Sequence, residues 1–193
     1  EFTAGGWHSM ALLDDGTLWA WGGNGYGQLG DGTSSGSSNP IAVGGLVGVV
    51  KIAAGQSHSL ALLDDGSIWA WGNNGYGRLG DGTTSSSSSP VEVVGLAGVE
   101  SIHAGSILSL AVLSDGTLWA WGGNPYGGLG DGTASDSSIP VAVTSLTGVV
   151  EAATGSYQTL ALLDNGAIWT WGSNFNGELG DGNTSTRSSP DTM

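Results

Sequence analysis

Three histidines, His8, His58 and His103, and seventeen carboxylates are the groups in this chain with the chemistry for acid–base catalysis or metal binding, and no cysteine accompanies them. Thiolate nucleophiles, thiolate metal sites and disulfides are therefore excluded. A general base needs a fixed partner and surroundings that tune its pKa. His8 and His58 occupy equivalent positions of an internal repeat, and the other two copies place Leu108 and Gln158 there. An acid–base role does not alternate with leucine among equivalent sites. The pairs Asp14-Asp15 and Asp64-Asp65 fall in Asp-Gly turns, where exposure rather than a shifted pKa is expected. Leu29-Gly30-Asp31-Gly32-Thr33 and its copies from Leu79, Leu129 and Leu179 offer loop oxygens of the kind calcium takes. Each supplies one carboxylate without the Asp-x-Asp spacing of a dedicated calcium loop, and Asp beside Gly also makes a tight turn without metal. The expectation is a protein that is not an enzyme and holds no cofactor or metal.

The elements that position these groups come from repetition. Leu18-Trp19-Ala20-Trp21-Gly22 returns from Ile68, Leu118 and Ile168 at a constant step of 50 residues. Such a period marks units that cannot bury an apolar face alone and must stack. One domain over 1–193 follows, with repeats at approximately 1–43, 44–93, 94–143 and 144–193. In the second copy, Ile52–Gly55 and Ser59–Leu63 read as strands, and Asp64-Asp65-Gly66 reads as a hairpin turn. Ser67–Trp71 is the next strand, with Ile68 and Ala70 on one face and Trp69 and Trp71 on the other. A Gly/Ser loop from Asn73 to Ser89 leads to an edge strand at Val91–Val93. Four short strands per unit with no helical periodicity give an all-β chain, and four-stranded antiparallel units repeated radially are propeller blades. The eight tryptophans of the Trp-x-Trp pairs are expected to pack between neighbouring blades.

Charge narrows the partners. Lys51, Arg78 and Arg187 are the only basic residues beside the histidines, and the formal net charge is −14. Nucleic acid and anionic membrane surfaces both demand clustered Lys and Arg. A protein partner is expected instead. Few lysines with many Ser, Thr, Gly and Asp resemble exported bacterial surface proteins, so an extracellular or cell-surface setting is expected.

The wording of the repeat is specific. Ala54-Gly55-x-x-His58-Ser59-Leu60-Ala61-Leu62, Asp65-Gly66-x-Ile68-Trp69-Ala70-Trp71-Gly72 and Asn74-x-Tyr76-Gly77-x-Leu79-Gly80 together resemble the RCC1 (regulator of chromosome condensation) repeat, in all four copies. The resemblance implies a β-propeller with about fifty residues per blade and usually about seven blades. Nucleotide exchange on a small GTPase, the activity the resemblance brings with it, has no residue-level support. Phe2 stands in the register of Ile52 and Ile102, and Met193 in that of Val43. The two ends are therefore expected to complete one blade between them, or two chains to close an eight-bladed ring as a homodimer.

Candidate contact residues are those that differ between copies. After each Ala/Thr-Gly or Gly come Gly6-Trp7-His8, Gln56-Ser57-His58, Ser106-Ile107-Leu108 and Ser156-Tyr157-Gln158. The long loop varies at Gly25, Gly75, Pro125 and Phe175, and again at Gln28, Arg78, Gly128 and Glu178. Equivalent positions of radial blades share one face. The candidate partner-binding set is Trp7, His8, Gln56, Ser57, His58, Ser106, Ile107, Leu108, Tyr157, Gln158, Phe175, Arg78 and Glu178, with Trp7 and Tyr157 as anchors. The expected function is a non-enzymatic interaction scaffold that self-associates through open blade edges. The alternative is a structural or adhesive segment of a larger surface protein.

Overall fold

The computed structural model describes residues 1–193, which form sixteen strands and no helix. Blade 1 holds β1 (Phe2–Ala4), β2 (His8–Leu12), β3 (Leu18–Gly22) and β4 (Ser37–Ala42), and blade 2 holds β5 (Val49–Ala54), β6 (His58–Leu63), β7 (Ile68–Gly72) and β8 (Ser87–Glu92). Blade 3 holds β9 (Val99–Ala104), β10 (Leu108–Leu113), β11 (Leu118–Gly122) and β12 (Ser137–Ala142), and blade 4 holds β13 (Val149–Thr154), β14 (Gln158–Leu163), β15 (Ile168–Gly172) and β16 (Arg187–Thr192). Each blade is an antiparallel sheet whose spatial order follows the chain. The ends do not share a blade: β1 pairs with β2 (Thr3 opposite Met10), and β16 pairs with β15 (Asp191 opposite Thr170). Four consecutive strands suffice for each blade, so the expected end-to-end completion is not observed.

The hairpin turns follow from their residues. Gly66 takes φ 83°, a left-handed value open to glycine, and the Asp65 carboxylate accepts the Ser67 backbone N–H at 2.9 Å. This sets Leu62 opposite Ile68 and Leu60 opposite Ala70. Gly72 ends the third strand at φ 102°, and a Cβ there would lie 2.6 Å from the Ser57 carbonyl oxygen. Only glycine admits that approach. The fourth strand begins at Ser87, inside the stretch expected to be loop, because the Ser-Ser-Ser-Pro segment pairs along β7. Pro90 is tolerated since this strand is the outer edge of its sheet.

Period-two alternation divides each blade into two apolar sides. Leu60, Leu62, Ile68 and Ala70 of blade 2 pack with Val99, Ile102, Ala111 and Trp121 of blade 3 in one buried cluster. The same exchange joins blade 1 to blade 2 around Trp71, and blade 3 to blade 4 around Trp171. In three of the four pairs the second tryptophan is fully buried in a junction. Trp19, Trp69, Trp119 and Trp169 are half-buried, and Trp21 is half-buried because no blade lies against its side. Of the eight tryptophans expected at junctions, three are fully buried there, and Trp169 packs partly buried against the cluster between blades 3 and 4.

One buried asparagine per blade holds the long loop. Asn74 accepts the Leu79 backbone N–H at 2.9 Å, and its amide donates to the Asp81 carboxylate and to the Thr83 and Ser85 carbonyls at 3.1–3.2 Å. Asn74→Ala leaves the Leu79 N–H and two carbonyls without a partner in a water-poor site. A stability loss of about 2–4 kcal/mol is expected in urea unfolding. A loss below about 0.5 kcal/mol would show that the loop is held by other contacts.

Candidate functional site

The variable tripeptides and the long loops gather at one end of the arc. Backbone bonds step from blade to blade there: Gly6 N–H to the Gly55 carbonyl (3.1 Å), Gln56 to Gly105 (3.1 Å) and Ser106 to Gly155 (3.3 Å). The Ser106 hydroxyl also donates to the Gln56 amide oxygen at 2.8 Å. These bonds bring the variable tripeptides together, and the Arg78 guanidinium, donating to the Ser106 carbonyl at 3.0 Å, brings the long loop beside them.

Burial divides that set. His8, Ser57, His58, Ile107, Leu108 and Arg78 are buried, so these six contribute to junctions and not to a contact surface. Trp7 (66% exposed), Gln56, Ser106, Tyr157, Gln158, Phe175 and Glu178 reach solvent. Tyr126 joins them: its ring centroid lies 5.2 Å from Tyr157 and 5.1 Å from Phe175, both edge-to-face. Sequence comparison passed over Tyr126 because Tyr26 and Tyr76 stand at its position in the first two copies. The recurring Tyr-Gly beside a bulky variable residue, as in Pro125-Tyr126-Gly127, was the available signal.

The buried histidines are clamps between blades. The His8 ring Nε2 lies 2.7 Å from the Ser59 hydroxyl, and that hydroxyl donates to the Gln28 carbonyl at 2.8 Å. His58, Ser109 and the Arg78 carbonyl repeat the pattern at 2.9 and 2.9 Å. Since each serine hydrogen goes to a carbonyl, each Nε2 carries the proton and donates. Both Nδ1 atoms are buried without a partner, which favours neutral rings. Burial pulls His8 down to about 4, and burial with the Arg78 and His8 charges holds His58 well below the usual range. At the third junction Leu108 replaces the histidine, and Thr159 donates to the Gly128 carbonyl at 2.8 Å. Leucine substitutes because the position packs a junction.

Other chemistry-bearing groups are consumed locally or line the axis. The Asp31 carboxylate accepts the Thr33 backbone N–H, the Thr33 hydroxyl and the Asn24 amide, as a turn requires. No group of three or more His, Cys, Asp or Glu converges as a metal site. The inner strands line a concave surface of about 580 Å³ that includes Lys51, Ser101, His103 and Thr154. Burial lowers the His103 pKa against an opposing pull from Glu151. Beside Phe175, the Asn176 backbone N–H donates to the Glu178 carboxylate at 2.8 Å and holds its pKa below the usual range.

Four-stranded blades joined face to face around tryptophans, with their variable loops at one end, define an arc of a β-propeller. Residues 1–193 match the family described as RCC1-like domain, and the chain belongs to it. Human WBSCR16 is similar at 28% identity with a TM-score of 0.90, covering 100% of this chain and 52% of that one. Prp20p of Saccharomyces cerevisiae shares the fold at 24% identity and a TM-score of 0.89, covering 100% of this chain and 50% of its own. The chain thus spans about half the length of these solved relatives. No curated protein matches it by sequence.

Proposed function

We propose that this chain is a non-enzymatic interaction scaffold that assembles through its open blade faces, with a second copy as the partner that completes the ring. The carrying observation is that the two outer faces repeat the two sides of the buried junctions. Blade 4 presents Leu160, Leu162 and Ile168 (40% exposed) where blade 2 buries Leu60, Leu62 and Ile68. Blade 1 presents Phe2 (88% exposed), Ala11 and Trp21 where blade 2 buries Ile52, Ala61 and Trp71. Polar groups match as well. Trp71 and Ser59 both donate to the Gln28 carbonyl, at 2.9 and 2.8 Å. The equivalent donors Trp21 and Ser9 and the equivalent Glu178 carbonyl make no such bonds within the chain. Two arcs, each matching about half of a solved relative, would together supply the eight blades of the expected ring. Prp20p, described as binding Gsp1p and histones, offers a precedent for protein partners on this fold.

Light scattering across a dilution series tests this. The expected mass is two chains at high concentration and one on dilution, with Ile168→Glu held at one. Mass that keeps climbing with concentration favours the second reading, an open structural array, which the near-identity of the copies supports. A wild type that stays at one chain throughout overturns both.

A further inference from the structure

On the loop face, where blades 3 and 4 meet, three rings form an open corner. Tyr157 and Phe175 stand at 82° and 89° to Tyr126, and the three are 38%, 61% and 36% exposed in that order. The junction one step back has the same framework with a cation built in. The Arg78 guanidinium lies 5.3 Å from the Tyr76 ring centroid, and its Nη1 donates to the Ser106 carbonyl at 3.0 Å. Between blades 3 and 4, glycine (Gly128) stands at the Arg78 position, so these rings have no basic side chain of their own. The Ser156 carbonyl, equivalent to that of Ser106, accepts no hydrogen bond within the chain.

We propose that the Tyr126–Tyr157–Phe175 corner binds an arginine side chain borne on an exposed segment of a partner protein. Aromatic faces carry negative electrostatic potential and attract a guanidinium within about 6 Å of the centroid. The Ser156 carbonyl offers the bond that Arg78 makes to Ser106. Arginine suits the corner better than lysine because its planar head stacks on a ring while donating in its own plane. Charge agrees: Glu178 follows Phe175 on the same loop, and a chain of net charge −14 draws basic segments towards it.

This goes beyond self-assembly and is separable from it. At the positions equivalent to Phe175, no atom lies within 4 Å of a Cβ placed on Gly25, and only the Asn73 side chain lies near one on Gly75. Pairing of blade faces therefore leaves the corner open.

The test is an NMR titration of the whole chain, reading aromatic ring protons, with the peptides Gly-Arg-Gly, Gly-Lys-Gly and Gly-Gln-Gly. Saturable shifts at Tyr126, Tyr157 and Phe175 are expected with the arginine peptide, weaker ones with lysine and none with glutamine. Tyr126→Leu should weaken arginine binding about tenfold. Phe175→Gly, which restores the residue of blades 1 and 2, should weaken it about threefold without disturbing the fold. Equal response to the glutamine peptide, shifts spread evenly over Tyr26 and Tyr76, no saturable shift, or unchanged affinity in both variants would overturn the proposal. Light scattering on the same samples reports assembly independently.

Discussion

Trp121→Ala is expected to lower the free energy of unfolding by about 3–5 kcal/mol, whereas Trp21→Ala in the isolated chain should cost less than half of that. The two residues share a repeat position and differ only in what lies against them. Trp121 is fully buried in the cluster formed by Leu60, Leu62, Ile68 and Leu79 of blade 2. Its indole N–H donates to the Arg78 carbonyl at 2.9 Å, and a Cβ on Gly80 would lie 2.7 Å from that nitrogen. Removing the indole leaves a cavity walled by two blades, and rigid sheets close it poorly. The Arg78 carbonyl keeps its bond from the Ser109 hydroxyl at 2.9 Å, so the loss is chiefly one of packing. Trp21 is half-buried and donates to no carbonyl. Urea unfolding followed by near-ultraviolet circular dichroism, at a concentration where the chain is monomeric, measures both. Equal losses would mean that the tryptophans stabilise their own sheets and not the junctions. Where chains pair through blade faces, Trp21→Ala should instead abolish the pairing, so its effect grows with protein concentration.

The repeat made the blades legible, because a 50-residue step fixes every strand of four blades at once and Asp-Gly pins each hairpin. Alternation correctly separated Ile68 and Ala70 from Trp71, since period two is a property of any strand. It carries no information on depth along the strand, which is why Trp69 at the rim and Trp71 in the junction looked alike. The strand at Ser87–Glu92 was partly hidden because an outer edge needs no apolar side chains. The candidate contact face was half legible. Variation between copies pointed to one end of the arc, but it marked junction residues as readily as exposed ones. His58 meets Ser109 from the next blade, and Leu108 fills the same kind of place without that bond. Such differences compensate across a junction, and a single copy read alone does not reveal its neighbour. Tyr126 was hidden for the opposite reason: it matches two other copies and joins an aromatic corner only through Tyr157 and Phe175 beside it.

Acid should open the first two junctions before the third. An unfolded histidine titrates near pH 6.5, whereas folded His8 titrates at about 4 and His58 well below the usual value. Between these limits the unfolded chain binds protons that the folded chain refuses, so stability rises with pH and falls on acidification. The window for His8 runs from pH 6.5 down to about 4, and its loss across that window is about 3 kcal/mol. Below about 4 the folded His8 ring also protonates and its contribution levels off. The physical cause is the orphaned Nδ1: a proton there would be a buried charge with no acceptor, since Nε2 already donates to a serine. A variant with His8→Leu and His58→Leu borrows the Leu108 solution of the third junction. It gives up two hydrogen bonds, about 1 kcal/mol each, near neutral pH. In return it should flatten the dependence on pH from 6.5 to 4, so that the variant becomes the more stable protein at the acid end. Parallel urea-midpoint curves for wild type and variant over that range would sink this account. Hydrogen exchange at pH 5 adds a spatial test. His8 clamps blade 1 to blade 2 and His58 clamps blade 2 to blade 3, so amides of blades 1 and 2 should lose protection while the leucine-packed junction of blades 3 and 4 keeps it.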